Sequence, residues 1–195
     1  MNFDKQDCKI AIDVLKKTRE TIYFSIQLAD AVNRESIRPE HFEKNLKIQE
    51  KNSNNPFYIN LDWTQYPEIF KETANDIQVN IISHMIIVCN ESYSKELFVK
   101  KEDNFDLYSA QKILRLIRNA MAHMSAQPNE MALPHWNITI EKDRSLFEVK
   151  SIGVTLNAVN LHGEIFRFSH LGGLENFLKV LKYLEEDLQK KIKTL

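Results

Sequence analysis

Apolar residues return every three or four positions along most of the N-terminal two-thirds of the chain, and past residue 133 they return at every second position. The first spacing matches the helical turn and the second the alternation of a strand, so the sequence predicts long helices followed by a short β segment. Lys5 to Asn33 reads as a first long helix with Ile22, Ile26 and Ala29 on its apolar stripe. Glu35 to Asn45 reads as a shorter one with Pro39 near its start. Lys51 to Pro67, with its run Asn52-Ser53-Asn54-Asn55-Pro56, reads as a loop. Its aromatics Phe57, Tyr58, Trp63 and Tyr66 are of the kind that seal the end of a bundle, or that stack on bases.

From Tyr66 to about Lys101 a second long helix carries Phe70, Ala74, Ile77, Ile81, Met85 and Val88, with Ile82 and Ile86 widening the stripe. So broad an apolar surface implies burial on two sides, one in the core and one against a partner copy. His84 lies beside that stripe, where a core or interface histidine is expected. The segment from Leu107 to Asn129, wound on a helix, gathers Ala110, Ile113, Leu114, Ile117, Ala120, Met121 and Met124 on one side. Between Leu133 and Phe168 come short alternating runs, Trp136 to Ile140, Leu146 to Val149 and Val154 to Leu156, with Lys142-Asp143-Arg144 as a hairpin turn. Gly172-Gly173 then opens a terminal helix to about Lys193, either as a flexible helix entry or as a place where amides hold an anion. Lys190-Lys191-Ile192-Lys193 complements the dipole at its end.

The expected class is therefore mainly α: a bundle of four to five helices with a small β appendage between the last two long helices. One domain over 1–195 is expected, with a helical core over 1–132, the β appendage over 133–170 and the C-terminal helix over 171–195 packing back on the bundle. Only four Gly and five Pro fit long regular elements.

Charge narrows the partners. The formal net charge is −1, so no generic electrostatic grip on nucleic acid is expected and any such contact has to be local. No stretch approaches a membrane span, and the first residues lack the apolar core of a signal peptide, so a cytoplasmic protein without membrane contact is expected. Cys8 and Cys89 make no disulfide framework, and the six histidines include no pair at metal-ligand helical spacing. His162-Gly163-Glu164 has the H-x-E form of zinc deaminases, but no P-C-x-x-C follows. No metal and no cofactor are expected.

One stretch carries a sharper chemical expectation. Leu107 to Asn129 contains no Asp or Glu, where 27 acids in 195 residues would place about three. The face opposite its apolar stripe holds Gln111, Lys112, Arg115, Arg118, Asn119, Ala122 and His123. Its cations therefore lack acidic partners within the helix, unlike an ordinary solvated face. Arg118 and His123 are five apart and splayed by roughly 140°, with Asn119 placed four before His123 where it reaches the ring. A phosphate would meet a guanidinium and an imidazole together. Cations in the last turns of a helix also serve its free carbonyls and macrodipole, so a purely structural reading stands beside this one.

Arg118-Asn119-Ala120-Met121-Ala122-His123 resembles the R-x4-6-H signature of the HEPN superfamily (higher eukaryotes and prokaryotes nucleotide-binding). Trp136-Asn137-Ile138, Leu161-His162-Gly163 and Gly172-Gly173-Leu174 are similar to a stand-alone bacterial branch of it, and the resemblance covers about half the chain, from Leu107 to the end. It implies a HEPN-like helical bundle and a homodimer with a composite active site. The implied activity is a metal-independent endoribonuclease acting on RNA, in a toxin or phage-defence setting, with an antitoxin or defence protein as a further partner. In that role Arg118 stabilises the charge on the scissile phosphate, His123 transfers protons, Asn119 orients one of them, and Arg115 and Lys112 bind RNA phosphate. Attack by the ribose 2′-hydroxyl would leave a 2′,3′-cyclic phosphate. Where members paired with a nucleotidyltransferase antitoxin carry a Tyr two positions after the His, this chain has Ser125, which counts against that particular partner. Some members are not nucleases, so the alternative is a non-catalytic module binding nucleotide, RNA or a protein partner.

Overall fold

The computed structural model describes residues 5–48, 57–93, 97, 99–122, 124–125 and 133–194. Among them run four long helices, α1 (Lys5–Asn33), α2 (Pro67–Ser92), α3 (Phe105–Ala122) and α4 (Leu174–Thr194). Three two-stranded antiparallel sheets accompany them: β1 (Asn45–Ile48) with β2 (Phe57–Asn60), β3 (Met124–Ser125) with β4 (Leu133–Pro134), and β5 (Leu146–Val149) with β6 (Val154–Asn157). The fold is mainly helical, as expected. No described helix is long and apolar enough to cross a membrane. The packing divides the chain into two compact units, Ile22–Ile82, and Met1–Thr21 together with Ser83–Leu195.

In α1 the buried positions are Cys8, Ala11, Leu15, Thr18, Ile22, Ser25, Ala29 and Val32. They alternate steps of three and four, the heptad spacing of helices that pack nearly parallel to a neighbour. Small residues dominate the line, and its Ser25 hydroxyl is satisfied inside the helix by donating to the Ile22 carbonyl at 2.9 Å. The helix stops where Glu35 takes a left-handed conformation, φ 59°, and Ser36 N–H returns to the Ala31 carbonyl at 2.8 Å.

Within the Ile22–Ile82 unit the expected short helix from Glu35 to Asn45 is not formed. A single 3-10 turn occupies Pro39–His41, and the chain then enters β1. The expected loop likewise holds β2, paired in register with β1, before a 3-10 turn at Trp63–Gln65. The mouth of this hairpin is pinned by Lys44 Nζ donating to Asp62 at 2.8 Å, and that bond, with a second from the Thr64 hydroxyl, lowers the Asp62 carboxyl to about 2. Phe70 is the buried centre here, with the Phe42 and Trp63 rings edge-on to it at 5.2 and 5.6 Å. Trp63 thus seals apolar surface, whereas Tyr58 and Tyr66 are exposed. The buried line of α2 also differs from the expected stripe. Phe70, Ile82 and Ile86 of that stripe are buried, together with Cys89, whereas Ala74, Ile81, Met85 and Val88 are only half-buried and Ile77 and His84 are exposed. An apolar surface on nearly every side of a helix does not say which side is covered.

The core of the other unit is built on α3. Asn104 caps its start by accepting from Leu107 N–H at 3.0 Å, and Ala110, Ile113, Leu114, Ile117, Ala120 and Met121 are buried as expected, whereas Met124, expected on the same stripe, lies beyond the helix in β3. Each of the larger side chains, Ile113, Leu114, Ile117 and Met121, contributes about 2 kcal/mol of transfer free energy. Their partners include the inward residues of the β5–β6 hairpin, Phe147, Val149, Val154 and Leu156, which alternate with exposed or half-buried ones, and the buried Phe177, Leu181, Leu184 and Leu188 of α4. The β segment is therefore a wall of the core rather than an appendage. Trp136 to Ile140 forms no regular strand; its backbone is held by Trp136 N–H to the Glu164 carbonyl and Gly163 N–H to the Trp136 carbonyl, both 2.8 Å. Lys142-Asp143-Arg144 does not make the hairpin turn either. A 3-10 turn at Glu141–Asp143 leads into β5, and the hairpin turns through Lys150–Ile152 and the left-handed Gly153.

Gly172 and Gly173 open α4 as expected, but their amides donate to Ser169 and Phe168 carbonyls at 2.9 Å, so an anion is not their role. A Cβ on Gly172, at φ 81°, would lie 2.8 Å from the Asn176 amide nitrogen, which donates to the Leu171 carbonyl at 2.7 Å. Gly172→Ala is expected to lower stability by about 2 kcal/mol in urea unfolding, and Gly153→Ala, also left-handed but facing open space, by about 1 kcal/mol. Equal losses in the two variants would show that the Asn176 contact contributes nothing.

Candidate functional site

The side of α3 away from its aliphatic stripe is not the solvated face its composition implies. Gln111 is 1% exposed and Lys112 8%. Gln111 uses both ends of its amide, donating to the Tyr93 hydroxyl at 3.1 Å and the Leu97 carbonyl at 2.9 Å and accepting from Val99 N–H at 2.9 Å. It staples the connection between α2 and α3 to the middle of α3.

The cations of α3 lack acidic partners on their own helix, but not elsewhere. Lys112 Nζ donates to one oxygen of Asp143 at 2.5 Å, and Arg115 Nη2 to the other at 3.0 Å. Asp143, only 3% exposed, was expected at the tip of a hairpin; it is instead the buried counter-charge of α3. No motif signals it, because its partners lie 31 and 28 positions away. Two cations share one carboxylate, leaving the cluster net positive. Lys112 is committed to Asp143 and nearly inaccessible, while the Arg115 side chain remains 35% exposed.

Arg118 sits one turn before the end of α3, its side chain 29% exposed. Its Nη2 pairs with the Glu91 carboxylate near the end of α2, its Nη1 lies 3.4 Å from the Asn119 side-chain oxygen, and its buried Nε–H has no hydrogen-bond partner among the described residues. A buried donor left unsatisfied is uncommon and marks a position where an acceptor would be favourable. Arg118 and Asn119, neighbours in sequence, lie together, while the expected contact of Asn119 with His123 falls outside the described residues. His123 follows directly after the last residue of α3 in sequence and lies outside the described residues.

Next to this pair opens a cleft of about 760 Å³. Its walls include Glu91 from α2, Lys100 and Lys101 from the connection, Tyr108 and Arg115 from α3, and Lys142 from the 3-10 turn. Lys112 and Glu102 also reach it, so five cations face two carboxylates among the described lining. Burial raises the Tyr108 phenol and Asp143 adds to the shift, so at neutral pH it is an uncharged hydrogen-bonding wall. Glu91 belongs both to this cleft and to Arg118, which places Arg118 at its edge.

The other stretches of interest are structural. The Trp136 indole donates to His170 Nδ1 at 2.8 Å, and Ile138 N–H to His162 Nδ1 at 3.1 Å, so each of these imidazoles acts as an acceptor that ties one segment to another. Both cysteines are described, buried and unbridged, and burial pushes the Cys89 thiol up to about 12. Comparison with family models, curated proteins and solved structures finds no match to this chain.

Removing the Asp143 carboxylate leaves Lys112 buried without a counter-ion. Asp143→Ala is expected to cost about 3 kcal/mol in chemical denaturation, and Lys112→Met with Asp143→Leu to recover most of that loss. A fully additive double variant would mean that the pair is not coupled.

Proposed function

We propose that the protein is a metal-independent endoribonuclease of the HEPN type, working as a cytosolic homodimer in a toxin or phage-defence setting. The observation that supports this most is the state of Arg118: a guanidinium near the C-terminal end of α3 with an unsatisfied buried Nε–H among the described residues, beside a cleft richer in cations than in acids. In this reading the fork of Arg118 receives two oxygens of the scissile phosphate and stabilises the charge that builds on them. His123 takes the proton of the ribose 2′-hydroxyl, whose oxygen attacks phosphorus. The bond to the 5′-oxygen breaks, and that oxygen is protonated by a second acid, leaving a 2′,3′-cyclic phosphate and a 5′-hydroxyl. One imidazole does not readily serve as base and acid in the same step, so two protomers each contribute a His123. Asn119, whose side-chain oxygen lies 3.4 Å from Arg118 Nη1, orients the guanidinium.

Glu91 adds a condition. Its carboxylate holds the Nη2 that a phosphate would use, so substrate has to displace it. A module that binds a nucleotide, RNA or protein partner without cutting is the second reading, favoured by this same pairing because Arg118 is then a helix-to-helix tie.

Purified protein incubated with total RNA in EDTA is expected to yield fragments ending in cyclic phosphate. His123→Ala and Arg118→Ala should each lower the rate by about a thousandfold, with melting temperature nearly unchanged for His123→Ala. Glu91→Gln should raise cleavage at limiting RNA, since the neutral amide releases the guanidinium more easily. Intact RNA over a wide range of enzyme concentrations would end the nuclease reading, and an Arg118→Ala protein that cuts normally would end the assignment of its chemistry to Arg118.

A further inference from the structure

The reading above assigns chemistry to Arg118 and His123 but leaves open how a strand would be held, and Lys112, expected to contribute, is buried on Asp143. We infer that the cleft beside Arg118 is the track of single-stranded RNA, with Lys100, Arg115 and Lys142 of its lining gripping phosphates of the strand next to the one that Arg118 receives.

Four observations carry this. The chain as a whole is nearly neutral, at −1, yet this cleft gathers five cations against Glu91 and Glu102, and an excess of positive charge remains when Asp143, which holds Lys112 and Arg115, is counted with them. Lys100 and Lys142 are exposed and make no ion pair among the described residues, so their charge is not already used within the fold. Arg115 spends one amino group on Asp143 and remains a third exposed, which fixes the guanidinium while leaving other donors for a phosphate oxygen. Finally, Glu91 bounds the cleft and also holds Arg118, so a phosphate advancing along the lysines arrives where the Glu91 carboxylate now sits.

Concavity favours a single strand over a flat acidic protein surface. A volume of about 760 Å³ is of the size that encloses a small ligand, so it would take one nucleotide unit with its phosphates, and the base would meet Tyr108 as its aromatic wall. The assignment rests on the reading of Arg118 as a phosphate-binding group, but it concerns binding and can be measured without cleavage.

The test uses a fluorescent single-stranded oligoribonucleotide carrying 2′-O-methyl groups throughout, which removes the nucleophile, and follows anisotropy with wild type and with Lys100→Ala/Lys142→Ala. Wild type is expected to bind, and the double variant to bind about tenfold more weakly, with a log–log salt slope shallower by about 1.4 for two lost phosphate contacts. Polyglutamate at equal charge should compete poorly. Circular dichroism and melting of the double variant check that the fold is kept, as the exposure of both lysines predicts. Absence of wild-type binding, equal binding by the double variant, or equal displacement by polyglutamate would each overturn the assignment. Unmodified RNA separates the two ideas. Cleavage that persists with unchanged KM in the double variant removes the cleft and keeps the nuclease, while lysine-dependent binding with no cleavage by wild type keeps the cleft and removes the nuclease.

Discussion

A single buried carboxylate, Asp143, decides what the polar side of α3 is able to be. Without it, Lys112 would lie inside the protein as an unpaired charge, a state that costs several kcal/mol and forces the side chain outward. With it, Lys112 and Arg115 are held on one anchor, and the helix can bury its aliphatic stripe against the β5–β6 hairpin and α4 while its other side also lies under cover. The 3-10 turn that supplies Asp143 leads directly into β5, whose Phe147 and Val149 are part of the same core. Electrostatic and apolar contacts therefore fix the same short segment against the same helix. The Lys142 that precedes Asp143 inherits its position from that anchor.

This dependence explains which parts of the molecule were legible in the sequence. Periodicity located α1, α3 and α4, because a helix with one covered side writes its geometry directly into the spacing of residues such as Ile113, Leu114 and Ile117. For α2, which it also located, it failed to say which side is covered, because apolar residues occur all round and Ile77 could not be told from Ile82. It failed again for β1 and β2, since the Asn-rich run drew attention to a loop and away from the short strands on either side. Gln111 and Lys112 were placed in solvent because their type is polar. Their burial depends on Leu97, Val99 and Asp143, partners that no local pattern connects to them.

The candidate site divides in the same way. The motif from Arg118 to His123 was visible as a spacing, and Arg118 and Asn119 do lie together. Glu91, on another helix and 27 residues earlier, was invisible, as was the role of Lys100 and Lys142 in lining a cleft. An acid-free stretch of helix suggested unpaired cations, whereas the fold provides acids from two other segments. What survives of the suggestion is an excess rather than an absence: two cations on Asp143, and a guanidinium with one donor still unmet.

The staple made by Gln111 has a consequence for how such a surface would measure a ligand. Because its amide grips Leu97 and Val99, the connection that carries Lys100 and Lys101 is referenced to the middle of α3 and not left to follow its own loop. Arg118 lies seven residues further along that same helix, a rise of about 10 Å. The spacing between the outer lysines and the guanidinium is thereby set by the pitch of one helix. Changes in loop length or sequence beyond the staple would alter what surrounds the ruler while leaving its divisions in place.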